Sequence, residues 1–120
     1  EALPSHGSSK ERLESAICAY YKLVDDMQDE MLVMYQETKS LEKDALKYVL
    51  KKEQDFVAIF EPLIRDCVQE NVFQLSEIEI KTYAHNILVM GQMWAFRRWM
   101  LGKLYTIDEY IDLQLKFIFR

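Results

Sequence analysis

The residues of this chain that could do chemistry are few and poorly spaced for catalysis. A di-iron helical bundle needs Glu-x-x-His pairs on facing helices, but Thr82 stands three residues before His85, and His6 falls in a loop beside Pro4 and Gly7. Asp25, Asp26, Asp29 and Glu30 crowd together without the spacing or the glycine of a calcium loop, so they read as a solvated helix end. There is no nucleophile motif and no phosphate-cradling glycine loop. Neither an enzyme nor a bound metal or cofactor is expected.

The chemistry on offer is that of binding. Methionines and aromatics adapt to variable apolar shapes and line most small-molecule sites. Tyr20, Met31, Met34, Tyr35, Phe56, Phe60, Met90 and Trp94 are such residues, on stripes that can face one another; the plainer reading of each is core. Asn86 is an amide in the middle of an apolar helix. If buried, it needs a partner from a ligand, a backbone carbonyl or a second subunit. Arg97, one turn beyond Trp94, can meet a carboxylate or phosphate of an acidic ligand or form an internal ion pair with an acid of the long helix that ends near Glu70.

The elements that must position these residues are helices. With three glycines and two prolines in 120 residues, the breaks are sparse. Ser8 with Glu11 has the capping-box form, opening a helix that carries Leu13, Ala16, Ile17, Tyr20, Val24 and Met27 and ends near Asp25-Asp26. A short amphipathic piece follows over 30–38. Ser40 can cap a long helix to about Glu70, with Leu46, Val49, Phe56, Phe60, Leu63, Ile64 and Cys67 on one face and a kink at Pro62. Ser76 with Glu79 opens the next helix, which Gly102 should close as the residue after its end. Thr106 with Glu109 opens a last helix to about Phe119. No alternating strand of useful length occurs, which makes the chain all-α, a bundle of about five helices.

The helix after Ser76 is unusual. Thr82 to Phe96 holds no formally charged side chain, although charged residues make up 29% of the chain. One stripe is large, with Tyr83, Ile87, Met90, Trp94 and Leu101. Its neighbour is small or slim, with Ala84, Leu88, Gly91 and Ala95, leaving Lys81, His85, Gln92 and Lys103 for solvent. The last helix is also apolar over more than half its circumference. So much exposed apolar surface would promote aggregation. It fits a homodimer in which the last two helices of each subunit form a four-helix bundle, with Ala84, Leu88, Gly91, Ala95, Arg98, Ile107, Ile111 and Ile118 at the interface.

Composition narrows the partners. The net charge of −5 opposes direct binding to phosphate backbones. No apolar run reaches the roughly 18 residues of a membrane span. Cys18 and Cys67 fall inside helical patterns as small hydrophobes, as expected of a reducing cytoplasm.

Gly91, the cluster Arg97-Arg98-Trp99 and the helix start Thr106-Ile107-Asp108-Glu109-Tyr110-Ile111 together resemble the end of tetracycline-repressor (TetR/AcrR) family regulators. The run from Leu3 to Ser9 is similar to the junction after the helix that links the two domains of that family. The resemblance extends over most of the chain in helix order and is specific in wording over 84–112. It implies that residues 1–120 form one effector-binding and dimerisation domain, with 1–7 the end of the linker helix and its connector. It further implies a homodimer, a pocket for a small hydrophobic or amphipathic effector, and operator DNA held only through an N-terminal helix-turn-helix outside this sequence. Two other readings compete: a structural dimerisation module with a filled core, and an acidic adaptor that docks another protein on the 82–119 surface.

Overall fold

The computed structural model describes residues 7–37 and 43–120, except for the side chains of Tyr35, Ala45, Leu46 and Val49. The expected linker end over 1–6 and the Ser40 cap therefore lie outside the described residues. Those residues form six helices and no strand: α1 (Ser9–Asp26), α2 (Gln28–Glu37), α3 (Lys43–Gln69), α4 (Glu77–Phe96), α5 (Arg98–Leu104) and α6 (Ile107–Ile118).

Three starts are set locally. Ser8, Ser76 and Thr106 each accept from the backbone N–H of the glutamate three residues on, and Glu11, Glu79 and Glu109 each reach back to the cap N–H. The exposed carboxyls of Glu11 and Glu79 are held below the usual range, chiefly by the backbone N–H they accept. α3 ends in a Schellman turn. Val72 N–H bonds to Cys67 O at 2.8 Å and Asn71 N–H to Val68 O at 3.1 Å, and Asn71 takes φ +62°, which asparagine tolerates better than most residues. α3 continues through Pro62 as one helix.

α1 is the hub, packing against α2, α3, α4 and α6. Its stripe of Leu13, Ala16, Ile17, Tyr20, Tyr21 and Val24 is buried, together with Phe60, Ile64 and Cys67 of α3, Ile87 and Trp94 of α4, and Tyr110, Ile111 and Ile118 of α6. The lower end of the bundle is tied where Ser9 donates from both its N–H and its hydroxyl to Glu70 Oε1, at 3.2 and 2.8 Å. The described side chains of the first half of α3, over 43–55, are all exposed, so that half projects from the bundle.

Two boundaries differ from expectation. The helix begun at Ser76 breaks at Arg97 (φ −114°, ψ 27°) and resumes as α5. Gly102 lies inside α5, where an added Cβ would meet nothing within 4 Å, and the true cap is extended Tyr105. Gly102 is no C′ residue. The break has no local glycine or proline; it coincides with bonds from Trp94 and Arg98 to carboxylates 69 positions away.

Candidate functional site

The large stripe of α4 fills the core as its size suggests, with Ile87 and Trp94 buried, but the small stripe does not face a second copy. The small stripe of Ala84, Leu88, Gly91 and Ala95 is buried inside the subunit. The reason is volume. α1 presents two adjacent large rings, Tyr20 and Tyr21, and a Cβ on Gly91 would lie 2.6 Å from Tyr21 Cε1 and 3.0 Å from Tyr20 Cε2. The close neighbour that Gly91 admits is α1 of the same chain. The large stripe meets α6: Tyr83 donates its hydroxyl to Ile118 O at 2.6 Å, and Trp94 packs on Tyr110 with ring centres 5.1 Å apart. Ile111 and Ile118 are likewise core residues, and Ile107 is half-buried. Arg98 pairs with Asp29 of α2.

Beside the exposed Lys81 and His85, the outside of α4 carries a strip of Thr82, Asn86, Val89 and Met93, at i, i+4, i+7 and i+11, with Val89 45% exposed. Alongside, α6 presents half-buried Leu113 and Phe117, the latter 54% exposed. Between the two helices lies a cleft of about 110 Å³ lined by Tyr83, Asn86, Ile87, Met90, Phe117 and Ile118. This outer strip carries no charge. Asn86 and Met90, expected in an interior pocket, belong here.

The interior aromatic group is real but smaller than expected. Tyr20, Phe56 and Phe60 gather between α1 and α3, with Tyr20 ring centres 4.8 Å from Phe56 and 5.8 Å from Phe60. The Tyr20 hydroxyl lies near Gln92, and burial pushes its phenol well above the ordinary value. Gln92, expected at the surface, is buried because its amide donates to Glu53 Oε1 at 3.0 Å. Met31 is half-buried against this core, Met34 is exposed, and the side chain of Tyr35 lies outside the described residues. Trp94 stands apart with Tyr110 and donates Nε1–H to Asp25 at 2.8 Å. Arg97 is exposed and stacks over Trp99 at 5.3 Å.

Sequence reasoning missed a groove of about 480 Å³ between α3 and α4, floored by Val57 and Leu88 and rimmed by Leu50, Glu53, Gln54, Ala58, Glu61, Lys81 and His85. Lys81 and Glu61 face each other across it at 3.6 Å. Its only sequence signal is that Glu53, Val57 and Glu61 recur at i, i+4 and i+8. Among the described residues no cluster of side chains could hold a metal, and no helix is long and apolar enough to cross a membrane. Cys18 and Cys67 are free, and burial pushes both thiols up, as for small hydrophobes rather than reactive groups.

An all-α subunit with a central hub helix, an interior aromatic group and an uncharged outer strip on its late helices suits a regulatory domain better than a catalytic one. The profile of tetracycline-repressor-like C-terminal domains matches residues 6–99, and the chain belongs to that family. Among curated proteins it is similar to the HTH-type transcriptional regulator HbdR of Aromatoleum sp. (strain CIB), 26% identical over 102 residues. That match takes in 85% of this chain and 44% of the relative, so the chain spans less than half the length of that protein. No solved structure matches. Both matches place the chain among the regulatory C-terminal domains of that family.

Proposed function

We propose that this chain is the ligand-responsive and dimerising part of a transcriptional regulator. It would pair with a second copy through the outer strip of α4 and α6, around Val89, Met93, Leu113 and Phe117. The observation that carries this reading is the uncharged strip itself, on a chain of net charge −5. Like-charged copies can approach where no charge must be desolvated, and exposed apolar residues gain by being covered. DNA would be held by a helix-turn-helix outside this sequence, since an acidic dimer is repelled by phosphates.

The effector, a small hydrophobic or amphipathic molecule, would enter by the groove between α3 and α4. That groove lies within the usual range of ligand sites, about 300–1,000 Å³. From it Gln92, bonded to Glu53 and close to the Tyr20 hydroxyl, leads to the aromatic group, so a ligand displacing Gln92 would loosen α1 against α3. Only a difference in affinity between two arrangements can then shift their populations. One observation favours the competing reading of a filled structural core: Tyr20, Phe56 and Phe60 already pack ring on ring.

Thermal shift with a panel of acyl chains, aromatics and amphiphilic cations separates the two. A ligand at a hundred times its dissociation constant stabilises by about 2.7 kcal/mol, and Leu88→Trp, which fills the groove floor, should abolish the shift. A flat response across the panel would favour the filled core.

A further inference from the structure

Two breaks between helices share one backbone conformation. Met27, between α1 and α2, has φ −111° and ψ 27°; Arg97, between α4 and α5, has φ −114° and ψ 27°. Each is a single residue in the sparsely populated bridge region beside the helical basin, where a ψ change of some tens of degrees redirects everything beyond it.

Residues four apart straddle each break: Asp25 and Asp29 the first, Trp94 and Arg98 the second. The two pairs meet rung by rung. Trp94 Nε1–H donates to Asp25 Oδ1 at 2.8 Å, and Arg98 pairs with Asp29. The first rung is sheltered. Trp94 is buried, and Asp25 Oδ1 also accepts from the Gln28 amide at 2.8 Å. The second rung lies past both breaks and faces water, with the Asp29 side chain 81% exposed.

Beyond the breaks burial thins, although α2 still rests along α4 and α5 follows directly from it. No described residue of α2 or α5 is buried, whereas α1 and α4, on the near side, hold most of the core. Elements with few buried apolar contacts open at lower free energy than the core they rest on. Two such elements, hinged side by side and bonded to each other past their hinges, are coupled in their opening by that bond.

We propose that α2 and α5 are one conformational unit, tilting about twin hinges at Met27 and Arg97. The Asp25–Trp94 bond is its pivot, and the Asp29–Arg98 pair is the tie that makes the two helices move together. A contact that displaces α2 then displaces α5 as well, and the reverse. The inference needs no effector. Should the regulatory reading hold, the unit gives it a moving part that joins Met31, on α2, to exposed Trp99, on α5.

Hydrogen-exchange mass spectrometry on the 120-residue chain tests this, with peptides over 28–37 and 98–104 and the α1 core over 13–24 as the folding reference. In the wild type the two helices should show the same protection within about twofold. Arg98→Ala should speed exchange in both, by up to about fivefold for an exposed pair, and leave 13–24 unchanged. Asp29→Ala should do the same, and the double variant should add nothing further. Asp29→Arg with Arg98→Asp should restore protection, and 1 M salt should mimic the loss. At the pivot, Asp25→Asn keeps an oxygen acceptor for the indole and should be mild, whereas Asp25→Leu should release both helices together. Faster exchange in α5 alone after Arg98→Ala would overturn the proposal. So would wild-type protections differing more than tenfold between the two helices.

Discussion

Gly91→Ala is the sharpest test of how this core is assembled. In an ordinary helix interior the change stabilises by about 1 kcal/mol. Here the new methyl would sit 2.6 Å from Tyr21 Cε1 and 2.8 Å from Cδ1, where carbon atoms rest at about 3.5–4.0 Å. The Tyr21 ring must retreat by about 1 Å. It is fully buried, and its hydroxyl is committed to Ile87 O at 2.8 Å, so the retreat also stretches that bond. Overpacking costs about 1–3 kcal/mol and a weakened hydrogen bond about 1 kcal/mol. After the helix-propensity gain the net loss is about 2 kcal/mol. For 120 residues at roughly 2.1 cal/mol/K each, that lowers Tm by about 8 °C. Thermal unfolding at one fixed protein concentration should be compared for wild type, Gly91→Ala, Tyr21→Leu and the double variant. With the ring gone, Gly91→Ala should be neutral or stabilising. If Gly91→Ala melts at or above wild type, or costs the same in both backgrounds, the packing argument is wrong.

Three further outcomes are expected. Ser76→Ala removes a cap worth about 1 kcal/mol, which should lower Tm by about 4 °C and deprotect the first turn of α4 in hydrogen exchange. Burial pushes the Tyr110 phenol up to about 12 and those of Tyr20 and Tyr21 further still, against about 10 in an unfolded chain. The folded state keeps protons that the unfolded state loses, so stability is intact below about pH 10 and falls as pH rises toward 12. Urea midpoints at pH 9 and 11 should show this, and equal midpoints would contradict it. Phe117→Arg, placing a charge on the outer strip, should convert a dimer into a helical monomer by light scattering. A wild type already monomeric at tens of micromolar would remove the basis for pairing through this face.

How much could be read from the sequence depended on how far apart the deciding atoms lie. The three capping boxes were legible because each closes within four residues, and all three form with both reciprocal bonds. Most of the core stripe of α1 follows from its period, with Leu13, Ala16, Ile17, Tyr20 and Val24 buried, but Met27 at its end is exposed and the fully buried Tyr21 falls outside the expected stripe. The facing of α4 was not legible. Its two stripes follow from the period, but that the small one turns inward as well depends on Tyr21, whose bond to α4 spans 66 positions. A clue lay in the volumes: two consecutive tyrosines on a hub helix call for small residues opposite. The break at Arg97 had no local sign, because the residues that receive Trp94 and Arg98 belong to the corner between α1 and α2. Gln92 reads as a surface residue, and its burial depends on Glu53, an acceptor 39 positions away.

Three phenol hydroxyls end on main-chain carbonyls of neighbouring helices: Tyr21 on Ile87 of α4, Tyr110 on Met90 of α4, and Tyr83 on Ile118 of α6. If α4, which takes part in all three, slides along its axis by one residue it moves about 1.5 Å, enough to strip all three donors from their acceptors at once. Axial gliding of α4 past α1 or α6 is therefore the costliest displacement open to this bundle. Rotation of a helix end about a break leaves the three bonds intact. Of the two common ways in which packed helices rearrange, shear and hinge, the tyrosines oppose the first and leave the second free.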